Sequence, residues 1–66
     1  MIEQFKARYD DIMAGEAGAM RDYRLAALMT DMEGAFNVPT LKNDEWEASN
    51  PEVIELYREV SQARGL

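Results

Sequence analysis

The chain has 66 residues and a net charge of -6, and it contains neither Cys nor His. These absences exclude disulfide bonds, thiolate or imidazole zinc sites, and catalysis by a thiol nucleophile or an imidazole base. Nucleic acids and anionic membranes are unfavourable partners, because the seven basic residues are scattered among thirteen acidic ones and such binding needs clustered Lys and Arg.

The first segment has the pattern of an amphipathic helix. Four residues recur at spacings of three and four: Ile2, Phe5, Tyr9 and Ile12. This spacing places them on one side of a helix. Two glycines follow, Gly15 and Gly18, and they favour a turn. We therefore expect a first helix at about residues 2–14; the alternative is one helix that continues to residue 36.

The second segment, AMRDYRLAALMTDMEGAFN, is apolar on two opposite sides. One side is a stripe typical of a core-facing helix: Leu25, Leu28, Met29, Met32, Ala35 and Phe36. The other side carries Met20, Tyr23, Ala27 and Gly34, whose small members let a neighbouring helix approach. We expect a helix at about 18–36, placed between two neighbours and ended by Asn37 and Pro39.

The third segment, PEVIELYREVSQARGL, predicts a helix at about 51–64. Asn50 is preferred over Ser49 as its cap, because a residue before proline is pushed out of the helical region. About a dozen residues connect it to the second helix, a length that needs apolar anchors. We expect Val38, Leu41 and Trp46 to pin this connection, with a capped helical turn around Trp46.

Together these segments predict an all-α fold, a small three-helix bundle with a long pinned connection between the second and third helices. Three helices at most are expected in a single domain that spans residues 1–66. Chains of this size bury only about 60% of the surface exposed by their unfolded form. Because no disulfide reinforces the core, self-association is expected.

Nothing in the sequence predicts catalysis. Adjacent acids such as Asp10 and Asp11 could act as acid and base, but neighbours in sequence usually point in different directions. The stretch NDEWEASNPE has Trp and Ala where a calcium loop needs ligands or its turn glycine. We therefore expect no enzymatic activity, no cofactor and no metal site.

Trp46 has two interpretations. It either covers the end of the bundle as part of the core, which we favour in so small a chain, or it anchors a partner, because Trp is enriched at interface hot spots. The candidate interface residues are accordingly Met20, Tyr23, Ala27, Gly34 and Trp46.

The sequence favours a non-catalytic protein that acts through protein–protein contacts. A homodimer is the preferred assembly, with an unidentified protein partner as a further option. The first segment is acidic and amphipathic, unlike a secretory signal peptide, so we expect a cytoplasmic location. The alternative function is an acidic nucleic-acid-mimicking inhibitor of a basic protein, suggested by the net charge of -6. We expect neither nucleic acid nor membrane as a direct partner.

Overall fold

A computed structural model describes residues 1–64, in which every regular element is an α-helix. The helices are α1 (Ile2–Ala14), α2 (Ala19–Phe36), α3 (Asp44–Ser49) and α4 (Pro51–Ala63). The all-α class is thus confirmed. The expected maximum of three helices needs correction, because the predicted connection contains α3, a helix of only six residues. The bounds of α1 agree with expectation, while α2 starts one residue later and α4 ends one residue earlier.

The turn between α1 and α2 is held by backbone and side-chain hydrogen bonds. The Gly15 amide donates to the Ile12 carbonyl (3.2 Å). The Arg21 guanidinium donates to the carbonyl oxygens of Met13 (2.9 Å) and Gly15, which lie where a helix end leaves carbonyls without amide partners. Gly18 has a φ of 141°, which residues with a side chain rarely adopt. The alternative of one helix continuing to residue 36 is therefore wrong.

The end of α2 follows the predicted chemistry. Asn37 has φ 55° and ψ 47°, the left-handed conformation that ends many helices and that Asn tolerates better than most residues. The start of α3 also has the expected cap, since the Asn43 side chain accepts a hydrogen bond from the Trp46 amide (3.0 Å). The connection thus has defined chemistry at both ends.

Asn50 belongs to two helices at once. Its amide donates to the Glu47 carbonyl in α3 (3.2 Å), and its carbonyl accepts from the Ile54 amide in α4 (3.1 Å). It precedes Pro51 at the start of α4, as predicted. Its side chain, however, makes no cap bond with α4 and instead donates to the Trp46 carbonyl (2.9 Å). Asn50 therefore joins α3 directly to α4.

The core lies on one side of α2, where both α1 and α4 pack. Its buried members are Ile12, Leu25, Leu28, Met32, Val53, Leu56 and Val60. The two outer helices also contact each other. Both neighbours from the same chain therefore pack on the main stripe of α2, and neither covers the side with Met20 and Tyr23. A stripe that spans about a third of the helix circumference accommodates both neighbours, and the opposite side of α2 stays open.

Contacts at the rim supplement this core. The Phe5 and Phe36 rings join α1 to the end of α2, with centroids 5.2 Å apart and planes tilted by 60°. Arg58 of α4 donates to Glu47 of α3 at 2.6 Å. Exposed ion pairs contribute about 0–1 kcal/mol each, so apolar burial dominates the stability of the fold.

Candidate protein-interaction surface

The open side of α2 carries four of the five candidate interface residues. Met20 is 74% exposed and Tyr23 is 72% exposed, while Ala27 is half-buried and Gly34 is exposed. Their spacings of three, four and seven residues place them on one side of the helix. We call these four residues the α2 face. It has two large apolar side chains near the helix start and its smallest residues toward the end.

The centre of the α2 face is slightly concave. A shallow depression of about 350 Å³ is lined by Tyr23, Ala26, Ala27, Thr30 and Asp31. The Thr30 hydroxyl is turned back onto the helix, where it donates to the Ala26 carbonyl (3.1 Å). Farther along, a Cβ added at Gly34 would meet nothing within 4 Å. The face therefore leaves room for side chains from another molecule.

One edge of the α2 face carries two ion pairs with α1. Arg24 lies 3.4 Å from Asp11, and Asp31 lies 2.6 Å from Arg8. The side chains of Arg24 and Asp31 remain 48% and 54% exposed. They are seven residues apart, close to two helical turns, and so lie on the same edge. The edge thus presents a guanidinium near the helix start and a carboxylate toward its end.

Trp46 lies in a different part of the molecule. Its side chain is half-buried and packs against the core. It lines a depression of about 110 Å³ together with Val38, Ile54 and Tyr57, among others, and among the described residues none from α2 lines this depression. Trp46 thus occupies the position that the intramolecular interpretation predicts. Leu41, also expected to pin the connection, lines the same depression but remains 82% exposed, so Val38 and Trp46 supply the apolar burial.

A groove between α1 and α4 is the main feature that the sequence did not reveal. It has a volume of about 220 Å³ and is lined by Lys6, Tyr9, Asp10, Glu52, Glu55, Leu56 and Glu59. Burial, followed by the charges of Glu59 and Asp10, raises the pKa of Tyr9 above its ordinary value. The three glutamates lie at spacings of three and four on α4, a signal available from the sequence. That these glutamates lie close to Asp10, however, depends on how α1 packs against α4, which the sequence does not show.

Tyr57 links α4 to α2 through a hydrogen bond. Its hydroxyl donates to the Glu33 carboxylate at 2.5 Å. Burial, and then this bond to Glu33, raises the pKa of Tyr57 to about 12. The shift reflects a neutral hydroxyl that is favoured by its surroundings, so Tyr57 serves as a structural contact between two helices.

Within residues 1–64, no three acidic, His or Cys side chains are grouped so that they could hold a metal ion. None of the helices described is long and apolar enough to cross a bilayer. The α2 face, and the groove between α1 and α4 that we call the acidic groove, are two surfaces whose side chains suit binding.

Comparison with known proteins identifies no relative of this chain. No family model, curated protein or solved structure is significantly similar to the chain.

Proposed function

We propose that the chain is a non-catalytic protein that acts by binding another protein through the α2 face. The observation that carries this proposal is the exposure of Met20 and Tyr23, at 74% and 72%, one turn apart on a helix whose other side forms the core. Single exposed apolar residues are ordinary, but contiguous ones mark interaction sites. Burying them in an interface would gain about 25 cal/mol for each Å² of apolar surface removed from water.

The residue types of the α2 face suit protein binding. Tyrosine combines a large apolar ring with a hydroxyl and is enriched at interface hot spots. Methionine is flexible and adapts its shape to a partner. The small residues Ala27 and Gly34 permit close approach of a backbone or a bulky side chain. Trp46 stays outside this surface, because it packs against the core. The cytoplasmic location, the single domain and the absence of enzymatic activity remain predictions from the sequence.

A photo-crosslinking amino acid at position 23 tests the proposal. Benzoylphenylalanine keeps the aromatic ring of tyrosine but is larger, and the fold should tolerate it because Tyr23 is 72% exposed. The matched control carries the same amino acid in place of Glu16, which is exposed in the turn between α1 and α2. In the cells that make the protein, we expect a discrete covalent adduct from position 23 and none from position 16. No adduct at position 23, or the same adducts from both positions, would contradict the proposal.

The acidic groove favours a second candidate, a nucleic-acid-mimicking inhibitor of a basic protein. Four carboxylates and one ammonium group line it, which gives this hypothesis a definite location. An inhibitor of this kind should displace a DNA duplex from its basic target in a gel-shift assay. Replacing Glu52, Glu55 and Glu59 by Lys should abolish the displacement, whereas the same change at Asp44 and Glu45 should not. Displacement that survives the groove substitutions would refute this candidate.

A further inference from the structure

We infer that the molecule bound by the α2 face is a second copy of this chain, with its α2 helix antiparallel to the first. This inference rests on the proposed function and identifies the partner. Three features of the α2 face support it: the charges along its edge, its shape, and a glycine that the fold does not require.

The charges select the antiparallel arrangement. In a twofold dimer each copy offers the same surface, and residues pair reciprocally. An axis that passes between Ala27 and Leu28 places Arg24 of each copy opposite Asp31 of the other, because the two residues lie equally far from that point. Both side chains keep about half of their surface exposed beside their own α1 partners. A parallel twofold pair would instead place this edge beside the other edge of the partner helix, which carries Ala26 and Thr30, so that neither charge would meet its complement.

The shape of the face agrees with the same axis. Met20 of one copy comes to lie at the Gly34 end of the other copy, so that the largest flexible side chain meets the smallest residue. Ala27 lies beside the axis, where the two helices approach most closely. Tyr23 lies one turn from Ala27, at the depression beside it. Each contact occurs twice, because the two halves of the interface are identical.

Gly34 is the residue that the monomer does not explain. A glycine inside a helix costs about 1 kcal/mol relative to alanine, and here a Cβ would meet nothing within 4 Å. Its backbone is helical and φ is not positive, so neither space nor conformation requires glycine within one chain. A second helix that places Met20 at this point supplies the reason.

Cysteine cross-linking tests both the partner and its direction, because the chain has no Cys of its own. Met20→Cys and Gly34→Cys would be oxidised separately and as an equal mixture, and their covalent dimers compared. The antiparallel arrangement predicts that the mixed dimer greatly exceeds both homodimers, and that Ala27→Cys forms a homodimer by itself. The control is Ala48→Cys, at an exposed alanine of α3, which should form only the background level. Homodimers of Met20→Cys that exceed the mixed dimer would overturn the antiparallel direction.

Sedimentation of unmodified chains provides a test without disulfides. We expect wild-type protein at high micromolar concentration to have twice the chain mass of 7.5 kDa. Gly34→Gln adds a long side chain with good helix propensity, so it should keep or raise the urea midpoint of the monomer. It should weaken the dimer at least about tenfold, because the added side chain occupies the space that Met20 of the other copy needs. A wild-type chain that remains monomeric, or a Gly34→Gln dimer of unchanged affinity, would overturn the inference. A photo-crosslink from position 23 to a different protein would then still support the proposed function.

Discussion

Replacement of Leu28 by alanine tests whether α1 and α4 truly share one side of α2. Leu28 is fully buried, in a cluster that also contains Ile12 of α1 and Val53, Leu56 and Val60 of α4. Truncating such a leucine removes three carbon atoms and leaves a space that its neighbours fill incompletely, at a cost of about 3 kcal/mol. Domains of this length have a free energy of unfolding of about 3–10 kcal/mol. One substitution should therefore remove a large part of the stability.

Urea unfolding would measure this loss. With a slope of about 1 kcal/mol per molar urea for a small domain, the midpoint of Leu28→Ala should fall by about 3 M. Far-UV circular dichroism follows all the helices, whereas fluorescence follows Trp46, the only tryptophan, on α3. The two signals should shift together, because Trp46 packs against the same core and small domains unfold cooperatively. Measurement at low micromolar concentration keeps any dimer from adding to the apparent stability.

Thr30→Ala is the matched control, two residues away on the exposed side of α2. Its hydroxyl bonds only to the preceding turn of its own helix, so the change should stay within about 0.5 kcal/mol. A loss below about 1 kcal/mol for Leu28→Ala would be too small for a buried leucine, and it would refute the placement of the core. Separate transitions in the two signals would show instead that α3 is not held by the bundle.

Three further predictions concern single residues. Asn37→Ala should lower the free energy of unfolding by about 1 kcal/mol, because alanine tolerates the left-handed conformation poorly, whereas Asn37→Gly should not; thermal unfolding would show the difference. Trp46→Ala should cost about 2 kcal/mol, roughly half the value for a fully buried ring, and Trp46→Phe less than that, as read from urea unfolding followed by circular dichroism. Because the pKa of Tyr57 is raised from 10.0 to about 12 in the fold, its stabilising effect is complete below pH 10 and is lost as the pH rises through 12. Wild type should therefore lose more stability than Tyr57→Phe across this range, and equal losses would contradict the assignment.

The helices could be predicted from the sequence where neighbouring residues determine where a helix begins or ends. The stripe of α1 and the glycines after it define that helix, and Asn37 and Pro51 mark boundaries that the structure retains. The cap at Asn43 was also visible in the sequence. A helical turn around Trp46 was expected as well, but not a helix of six residues. So short a helix is unstable alone and depends on tertiary contacts such as the one between Arg58 and Glu47.

The candidate surface could be predicted only in part, because α2 is apolar on both sides. The pattern identifies Met20, Tyr23, Ala27 and Gly34 as one side, but it does not say whether α1, α4 or another molecule covers it. That depends on the direction in which the chain returns after α2. The acidic groove has the same origin, since Asp10 meets the glutamates of α4 only after α1 has packed.

The double role of Asn50 limits where the length of this chain can change. Because one residue ends α3 and begins α4, an inserted residue at this point would rotate α3 by about 100° around the chain axis and carry Trp46 away from the core. The exposed residues 40–42 have no such constraint, as exposed connections tolerate insertion. Among related sequences that share the fold, we expect insertions and deletions in that segment, and a junction of constant length at Asn50.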